Sequence, residues 1–350
     1  MIEEDADAIV DDLGQVLEAL RGSTLLVTGA SGFLCSWLVE TVAALNGRGG
    51  DPCRLVAVDN HVTGVASRWD ALLEAPWFRL VTHDVARPLE LDERVDWIVH
   101  GASIASPPVY RRLPLETIDV NVGGTRRMLE LAQAHSARGI LYISSSEIYG
   151  DPEPAAVPTA EDYVGRVSCV GPRACYDESK RLGETLCATF HRLYDLPVKT
   201  VRPFNVYGPG QRLDDGRIIP DLVRALVNRD PIRLLSDGRA TRAFCYVTDA
   251  VRAMWHVLLS GAGGEIFNIG NDQEEITIRE LAVRARSIGG PPDVEVVFEH
   301  SDDPDYVTDN PQRRCPDLTK LRSTFDWEPL VPLAAGLERT YRAQLEVPSP

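Results

Sequence analysis

From Ser23 onward, short apolar runs alternate with stretches in which apolar residues recur every three or four positions. The runs are TLLVT, RLVAVD, FRLVTHD, DWIVHGAS, GILYISSS and VKTVRPFN. Short runs this apolar fit strands covered on both faces. Between them, segments such as Leu34–Leu45 and Val122–His135 repeat at helical spacing. The alternation predicts an α/β fold, a doubly wound parallel sheet with helices on both faces. After Asn205 the rhythm loosens. Turns are expected at Tyr207–Gly216 and Ser236–Ala240, helices at Ile219–Asn228 and Asp249–Leu259, and a polar, Pro-rich loop at Asp302–Asp317. Ahead of the first strand, Ile9, Leu13, Val16, Leu17 and Leu20 share one helical face, so residues 1–22 read as an acidic amphipathic helix. That helix docks on its own domain, docks on a partner subunit, or frays; the pattern does not choose. The closing Val347–Pro350 reads as a frayed end.

The chain has 350 residues, 44% of them apolar, which is ample for a core without metal or disulfide staples. The formal charge of −16 argues against nucleic acid or an anionic membrane as partner. A phosphate-bearing ligand must therefore be met by local arginines. No apolar run approaches the ~20 residues of a membrane span. Residues 1–22 lack the basic start and apolar core of a signal peptide. Seven cysteines, at 35, 53, 169, 175, 187, 245 and 315, show no C-x-x-C spacing. They read as thiols of a reducing cytoplasm, and no metal site is expected.

The segment LLVTGASGFLCSWLVE, Leu25–Glu40, reads as strand, Gly-rich turn and helix, the arrangement that seats a dinucleotide diphosphate on a helix N-terminus. Gly29 permits the sharp turn, and Gly32 lets the backbone approach the ligand. Cys35 stands where a third glycine is expected, and reads as a small packing residue that a slight helix shift absorbs. The second strand ends in Asp59. A carboxylate at that tip accepts hydrogen bonds from both ribose hydroxyls and repels a 2′-phosphate, favouring NAD over NADP. Asp84, ending the next strand, is placed to meet adenine.

The segment CYDESKRLGET sets Tyr176 and Lys180 on one helical face. The segment ISSSEIYGD sets Ser145, Ser146 and Glu147 at the carboxyl end of a strand, where open α/β sheets collect ligands. A tyrosine beside a lysine and an oxidised nicotinamide is expected to have a lowered pKa. As phenolate it takes a proton from a sugar hydroxyl while hydride leaves the same carbon.

Through these residues the chain resembles the extended short-chain dehydrogenase/reductase family, also called the NAD-dependent epimerase/dehydratase family, from about Ser23 to Tyr341. Within it the chain looks most like the UDP-glucuronate decarboxylases, or UDP-xylose synthases. The likeness rests on GASIASPP, SSSEIYGDPE, EDYVGRVSCVGPRACYDESKR, RPFNVYGPG, DDGRIIP, ATRAFCYVTD and RRCPDL…WEPLVPLAAGL. It implies an NAD-binding Rossmann domain at 23–202, to which a segment near 243–270 returns, and a smaller nucleotide-sugar-binding domain at 203–345. NAD is then expected on Gly29, Ser31, Gly32, Phe33 and Leu34 at the turn. Asp59, Asn60, Thr63 and Gly64 follow the second strand, Asp84 and Val85 the third. Ala102, Ser103 and Asn121 complete the site with Tyr176 and Lys180.

The same resemblance implies Tyr176 as base at O4 of the sugar, Lys180 as its tuner and holder of the nicotinamide ribose, and Ser145 as a hydrogen-bond partner of O4. Glu147 with Ser146 is expected to order the ring, a water or the proton for C5. Arg242 is expected to meet the diphosphate or the developing charge. Ser106, Pro107, Asn205, Arg217, Tyr246 and Arg314 are expected in the nucleotide-sugar cleft. A homodimer is implied, with Leu129, Leu131, Ala132, Leu186 and Phe190 supplying apolar area.

Chemistry bears on the reaction. A 4,6-dehydratase expels a hydroxyl from C6 and needs a proton donor there. The dehydratases resembling this chain carry an Asp–Glu pair after the catalytic hydroxyl, and here Ser146 stands in the place of the Asp. Its loss fits decarboxylation of UDP-glucuronate, in which oxidation at C4 makes a β-keto acid, CO2 departs, and hydride returns to C4. A 4-epimerase, a 4,6-dehydratase and a non-catalytic NAD-binding protein are the alternatives. Two departures stand out. Decarboxylases of this group commonly carry IKTLKTN; here LETIDVN puts Glu116 and Asp119 where lysines are expected, the second near the sugar carboxylate. GPGQ at Gly208–Gln211 also lacks the usual Arg after Gly-Pro.

Overall fold

The computed structural model describes residues 1–346 apart from 262, 290–293, 303–307 and 309. The tail Val347–Pro350 and part of the Asp302–Asp317 loop lie outside the described residues. The six apolar runs form β1 (Thr24–Thr28), β2 (Arg54–Asp59), β3 (Phe78–Thr82), β4 (Trp97–His100), β5 (Gly139–Ile143) and β6 (Val198–Pro203). With the strand Ile266–Ile269 at one edge, they make a seven-stranded sheet, Ile266–Ile269 then β6-β5-β4-β1-β2-β3. Every pairing in it is parallel. Strands β1, β4 and β5 are buried at every residue, as their unbroken apolar character requires.

Alternation along β1 divides the interior. Leu25 and Val27 face a core shared with the helices Phe33–Gly47 and Val247–Leu259. Leu26 faces the opposite core, built on the helices Thr125–Ala134 and Ala174–Tyr194. The strand order reverses between β1 and β4, which opens a crevice at their carboxyl ends.

The N-terminal segment docks on its own chain. Its helix, Ile2–Leu17, buries Ile9, Val10, Leu13 and Leu17 in the first core. Arg48 reaches Asp11 and Arg252 reaches Asp12, each at 2.6 Å, and Asp5 accepts the Tyr246 hydroxyl at 2.7 Å.

Two local expectations change. Val122–His135 is not one regular helix: a wide π turn, Asp119–Gly124, precedes Thr125–Ala134. Gly124 lies so close to the Val85 side chain that a Cβ would come within 2.8 Å of it. In the Asp302–Asp317 loop, Arg313–Arg314 forms a short strand alongside Thr241–Ala243. Among the described residues no helix is long and apolar enough to cross a membrane, and no cluster of His, Cys, Asp or Glu is able to hold a metal ion.

Candidate active site

The crevice opens into a cleft of about 870 Å³. Gly29, Gly32, Phe33 and Leu34 line one end, Ser145, Tyr176 and Lys180 the middle, and Asn205, Arg217, Arg242 and Arg314 the far end. A second pocket of about 210 Å³ adjoins it across Gly29 and Ser103, lined by Asp59, Asn60, Thr63, Asp84, Val85 and Ala102. The two share Gly29, Gly32, Thr63, Gly101 and Ser103.

The residues fit a dinucleotide. Gly29 adopts φ +69°, and a Cβ there would lie 2.7 Å from Ala102 Cα, so only glycine brings the turn this close to β4. Asp59 is fixed by the backbone N–H groups of Ser31 at 2.9 Å and His61 at 2.7 Å. The Ser103 hydroxyl lines both pockets, buried and without a hydrogen-bond partner. The Ser31 hydroxyl accepts from the Trp69 indole at 3.1 Å. Gly64 backs the Ser31–Asp59 wall rather than lining either pocket. The Cys35 thiol packs against Gly101, on the far side of the crevice. Its room comes from that facing glycine rather than from the helix shift expected, and burial pushes the thiol up to about 12.

Tyr176 and Lys180 are both buried on the helix Ala174–Tyr194. Lys180 Nζ donates to the Ile143 carbonyl at 2.8 Å and lies 5.9 Å from the Tyr176 ring centroid. The Tyr110 ring stacks on Tyr176, 5.2 Å between centroids and 12° between planes. Burial pushes the Tyr176 phenol up to about 12, against the opposing pull of the Ser145 hydroxyl and the Arg217 charge. The lowering expected from Lys180 together with an oxidised nicotinamide does not come from the protein's own groups: burial dominates, and it drives Lys180 itself down to about 8.

Glu147 sits between two guanidinium groups. Arg173 donates to one carboxylate oxygen at 2.5 Å, and Arg314 to the other. Burial works to raise the carboxyl pKa, but Arg173 and Arg314 outweigh it and hold the group well below the usual carboxylate range. Glu147 is thus held as an anion, which suits it to order a ring hydroxyl or a water rather than to donate a proton itself. Its backbone N–H donates to Ser145 Oγ at 3.2 Å, tying the anion to the neighbouring hydroxyl. Arg242 donates to the carbonyls of Thr241 at 2.7 Å and Pro311 at 2.6 Å. Burial, with repulsion from Arg314, lowers its pKa to about 10. Arg217 pairs with Asp215 at 2.7 Å, and Ser106 donates to the Asp215 carbonyl at 2.9 Å. Asn205 donates to Ala243 O at 2.9 Å, while Ser146 and Pro107 complete the lining.

Three expectations fail on position. Tyr246 is buried away from the cleft: the chain is turning into the helix Val247–Leu259, and its hydroxyl meets Asp5. Asn121 lines neither pocket; the π turn carries it behind the helix Ala174–Tyr194, where its amide donates to Ser179 Oγ at 2.8 Å. Glu116 and Asp119 line the smaller pocket, with Asp59 and Asp84, and not the cleft that holds Tyr176. The acid at 119 is therefore not beside a sugar carboxylate. Sequence reasoning missed Arg173 and Tyr110. Arg173 carried a signal, three residues before Tyr176 inside the sharpest motif; Tyr110 carried none.

Comparison with known proteins agrees with this geometry. The model of the NAD dependent epimerase/dehydratase family matches residues 25–270. A UDP-glucuronic acid decarboxylase of Arabidopsis thaliana is 37% identical over 327 residues, covering 93% of this chain and 90% of the relative. One from Xenopus tropicalis is 36% identical, covering 92% of this chain and 73% of the relative. The crystal structure of UDP-glucuronic acid 4-epimerase from Bacillus cereus, in complex with UDP-glucuronic acid and NAD, has a TM-score of 0.78 at 25% identity, covering 92% and 99% of the two chains. The chain belongs to the NAD dependent epimerase/dehydratase family.

Proposed function

We propose that the protein decarboxylates UDP-glucuronate, giving UDP-xylose, UDP-4-keto-xylose or both. The observation that carries this reading is Glu147, held ionised between Arg173 and Arg314 beside a serine at 146. The position from which a dehydratase protonates a leaving hydroxyl thus holds no acid. The decarboxylase relatives, matched over most of their length, support the same choice.

Bound NAD supplies the acceptor, and later the donor, of hydride at C4. Tyr176 takes the O4 proton, and its ring is held for that by stacking on Tyr110. Ser145, whose hydroxyl pulls the phenol pKa down, is placed to hold O4. With the phenol raised to about 12 by burial, positive charge brought by the ligand must lower it for Tyr176 to act as base. The resulting 4-keto uronate is a β-keto acid. Its C5–C6 bond breaks, the electron pair passes into the C4 carbonyl, and CO2 leaves an enolate. Arg242 and Arg314 face the cleft where that negative charge develops. A proton then adds at C5, and Tyr176 returns its proton to O4. Arg111, Arg112, Arg212 and Arg217 also line the cleft, concentrating positive charge for an anionic substrate on a chain of net charge −16.

In this reading residues 23–202, rejoined by 243–270, hold NAD, and 203–345 hold the nucleotide sugar. The strand Ile266–Ile269 in the central sheet supports that return. A cytoplasmic location belongs to the same reading, supported by seven free cysteines. So does a homodimer, for which Leu186 and Phe190, half-buried, stay available while three of the expected residues do not. Leu129, Leu131 and Ala132 are buried in the chain's own core, whereas Leu115, Ile118 and Leu182 are exposed on the same group of helices. Incubation with UDP-glucuronate and mass spectrometry tests the function: CO2 loss is expected, and a product of unchanged mass would favour a 4-epimerase.

A further inference from the structure

The turn Gly208–Gln211 lacks an arginine after Gly-Pro, and another arginine fills the space. Gly210 adopts φ +84°, and a Cβ built on it would lie 3.0 Å from a terminal nitrogen of Arg68. Arg68 comes from the segment Ala66–Leu72, beyond the tip of β2. One terminal nitrogen donates to the Gly210 carbonyl at 2.8 Å; the other donates to Ser36 Oγ at 2.7 Å. Ser36 lies in the first turn of the helix Phe33–Gly47, its backbone N–H bonded to Gly32 O at 3.0 Å. The guanidinium thus bridges the Gly-rich turn and the 208–211 turn. The Trp37 indole fastens the same junction by donating to Pro209 O at 3.0 Å.

Arg68 lines the cleft beside Gly32, Phe33 and Leu34. A guanidinium has five N–H groups. The two hydrogen bonds above use one on each terminal nitrogen, and the buried Nε has no partner. The N-terminus of the helix favours an anion at this turn. The nearest charges felt by Arg68 are the acids Glu40 and Asp59, so the cation also offsets a negative wall where a diphosphate must sit.

We propose that Arg68 is a ligand of the NAD diphosphate. This rests on the NAD reading of the cleft. Calorimetry of NAD and, separately, of UDP tests it with the full chain and its Arg68→Gln, Arg68→Lys and Ser36→Ala variants. Arg68→Gln is expected to weaken NAD about ten- to hundredfold, to flatten the salt dependence of NAD binding, and to leave UDP affinity unchanged. Arg68→Lys and Ser36→Ala, which keep the charge but loosen its placement, are each expected to weaken NAD a few-fold. They carry the test if Arg68→Gln does not fold. NAD affinity unchanged across these variants, or loss of UDP binding in place of NAD binding, overturns the inference while the cofactor reading stands. Failure of the unsubstituted chain to bind NAD overturns that reading and, with it, this inference.

Discussion

The Cys35 thiol occupies the space in front of Gly101 that any side chain at 101 would need. The pair forms the helix-to-strand contact at the switch point, with the small residue moved from the helix to the facing strand. Gly101→Ala is therefore expected to destabilise the protein by ~1–3 kcal/mol through overpacking and to weaken NAD. Cys35→Gly is expected to cost only ~1 kcal/mol and to leave NAD affinity close to its original value. The double variant should recover part of the Gly101→Ala loss. Denaturant unfolding with NAD calorimetry checks all three; loss of NAD binding in Cys35→Gly would contradict the packing role.

Glu147 neutralises a buried cluster of arginines. Glu147→Gln removes the anion shared by Arg173 and Arg314 and felt by Arg242, and leaves Asp177, 3.8 Å from Arg173, as the remaining carboxylate of the cluster. A destabilisation of about 3 kcal/mol is expected, with slowed turnover and NAD still bound. The folded-state pKa lies below the ordinary 4.5, so the stabilisation is complete above that value and is lost as pH falls through the folded pKa. Acid unfolding should accordingly be less steep in Glu147→Gln. Because the Glu147 charge acts to raise the Tyr176 pKa, the Tyr176 limb of the pH–rate profile should move to lower pH in this variant.

Lys180 is a buried charge whose pKa is lowered from 10.5 to about 8. Between those values Lys180 binds more protons in the unfolded chain than in the folded one, so its own contribution to stability rises with pH across that window, against the opposite effect above about pH 9 of buried thiols such as Cys35, held up at about 12. Below it, the buried ammonium is a constant burden. Lys180→Met is expected to abolish turnover yet to stabilise the ligand-free protein at pH 7 by on the order of 2–3 kcal/mol. The difference in pH dependence between the two proteins isolates Lys180, because Lys199, shifted the same way by burial to about 8, and the buried thiols are common to both. Thermal melts from pH 7 to 10.5 provide the check.

Strands β1 to β6 were legible because each is a short apolar run, and β1, β4 and β5 are buried on both faces; the edge strand β3 is only partly covered. The pair Tyr176–Lys180 was legible because a four-residue helical spacing fixes a shared face. What escaped the sequence depended on contacts between distant segments. The clamp of Glu147 needs Arg314, 167 residues away. Arg68 meets Gly210 across 142 residues. Tyr246 looked like a cleft residue until the N-terminal helix supplied Asp5 as its partner. Asp119 was misplaced because its position beside the sugar came from the likeness alone, whereas the fold sets Glu116 and Asp119 together against the smaller pocket.

Leu115 and Leu182 are 71% and 46% exposed. If the helices that carry them pair about a two-fold axis, a charge at 182 should split the dimer. Light scattering at micromolar concentration should give twice the 38.5 kDa chain mass for the unsubstituted protein and a single chain for Leu182→Glu. A monomer in both would remove the dimer from the proposal.

The central claim is oxidation at C4, loss of CO2 and return of the same hydride, with Tyr176 as the base. UDP-glucuronate carrying deuterium at C4 tests it most directly, read by mass spectrometry and NMR of the pentose product. Deuterium is expected at C4 of the UDP-xylose formed, with the carboxylate carbon released as CO2. Tyr176→Phe should slow the reaction by about 10²–10⁴-fold. Product carrying solvent hydrogen at C4, with no labelled reduced cofactor ever formed, would contradict the scheme.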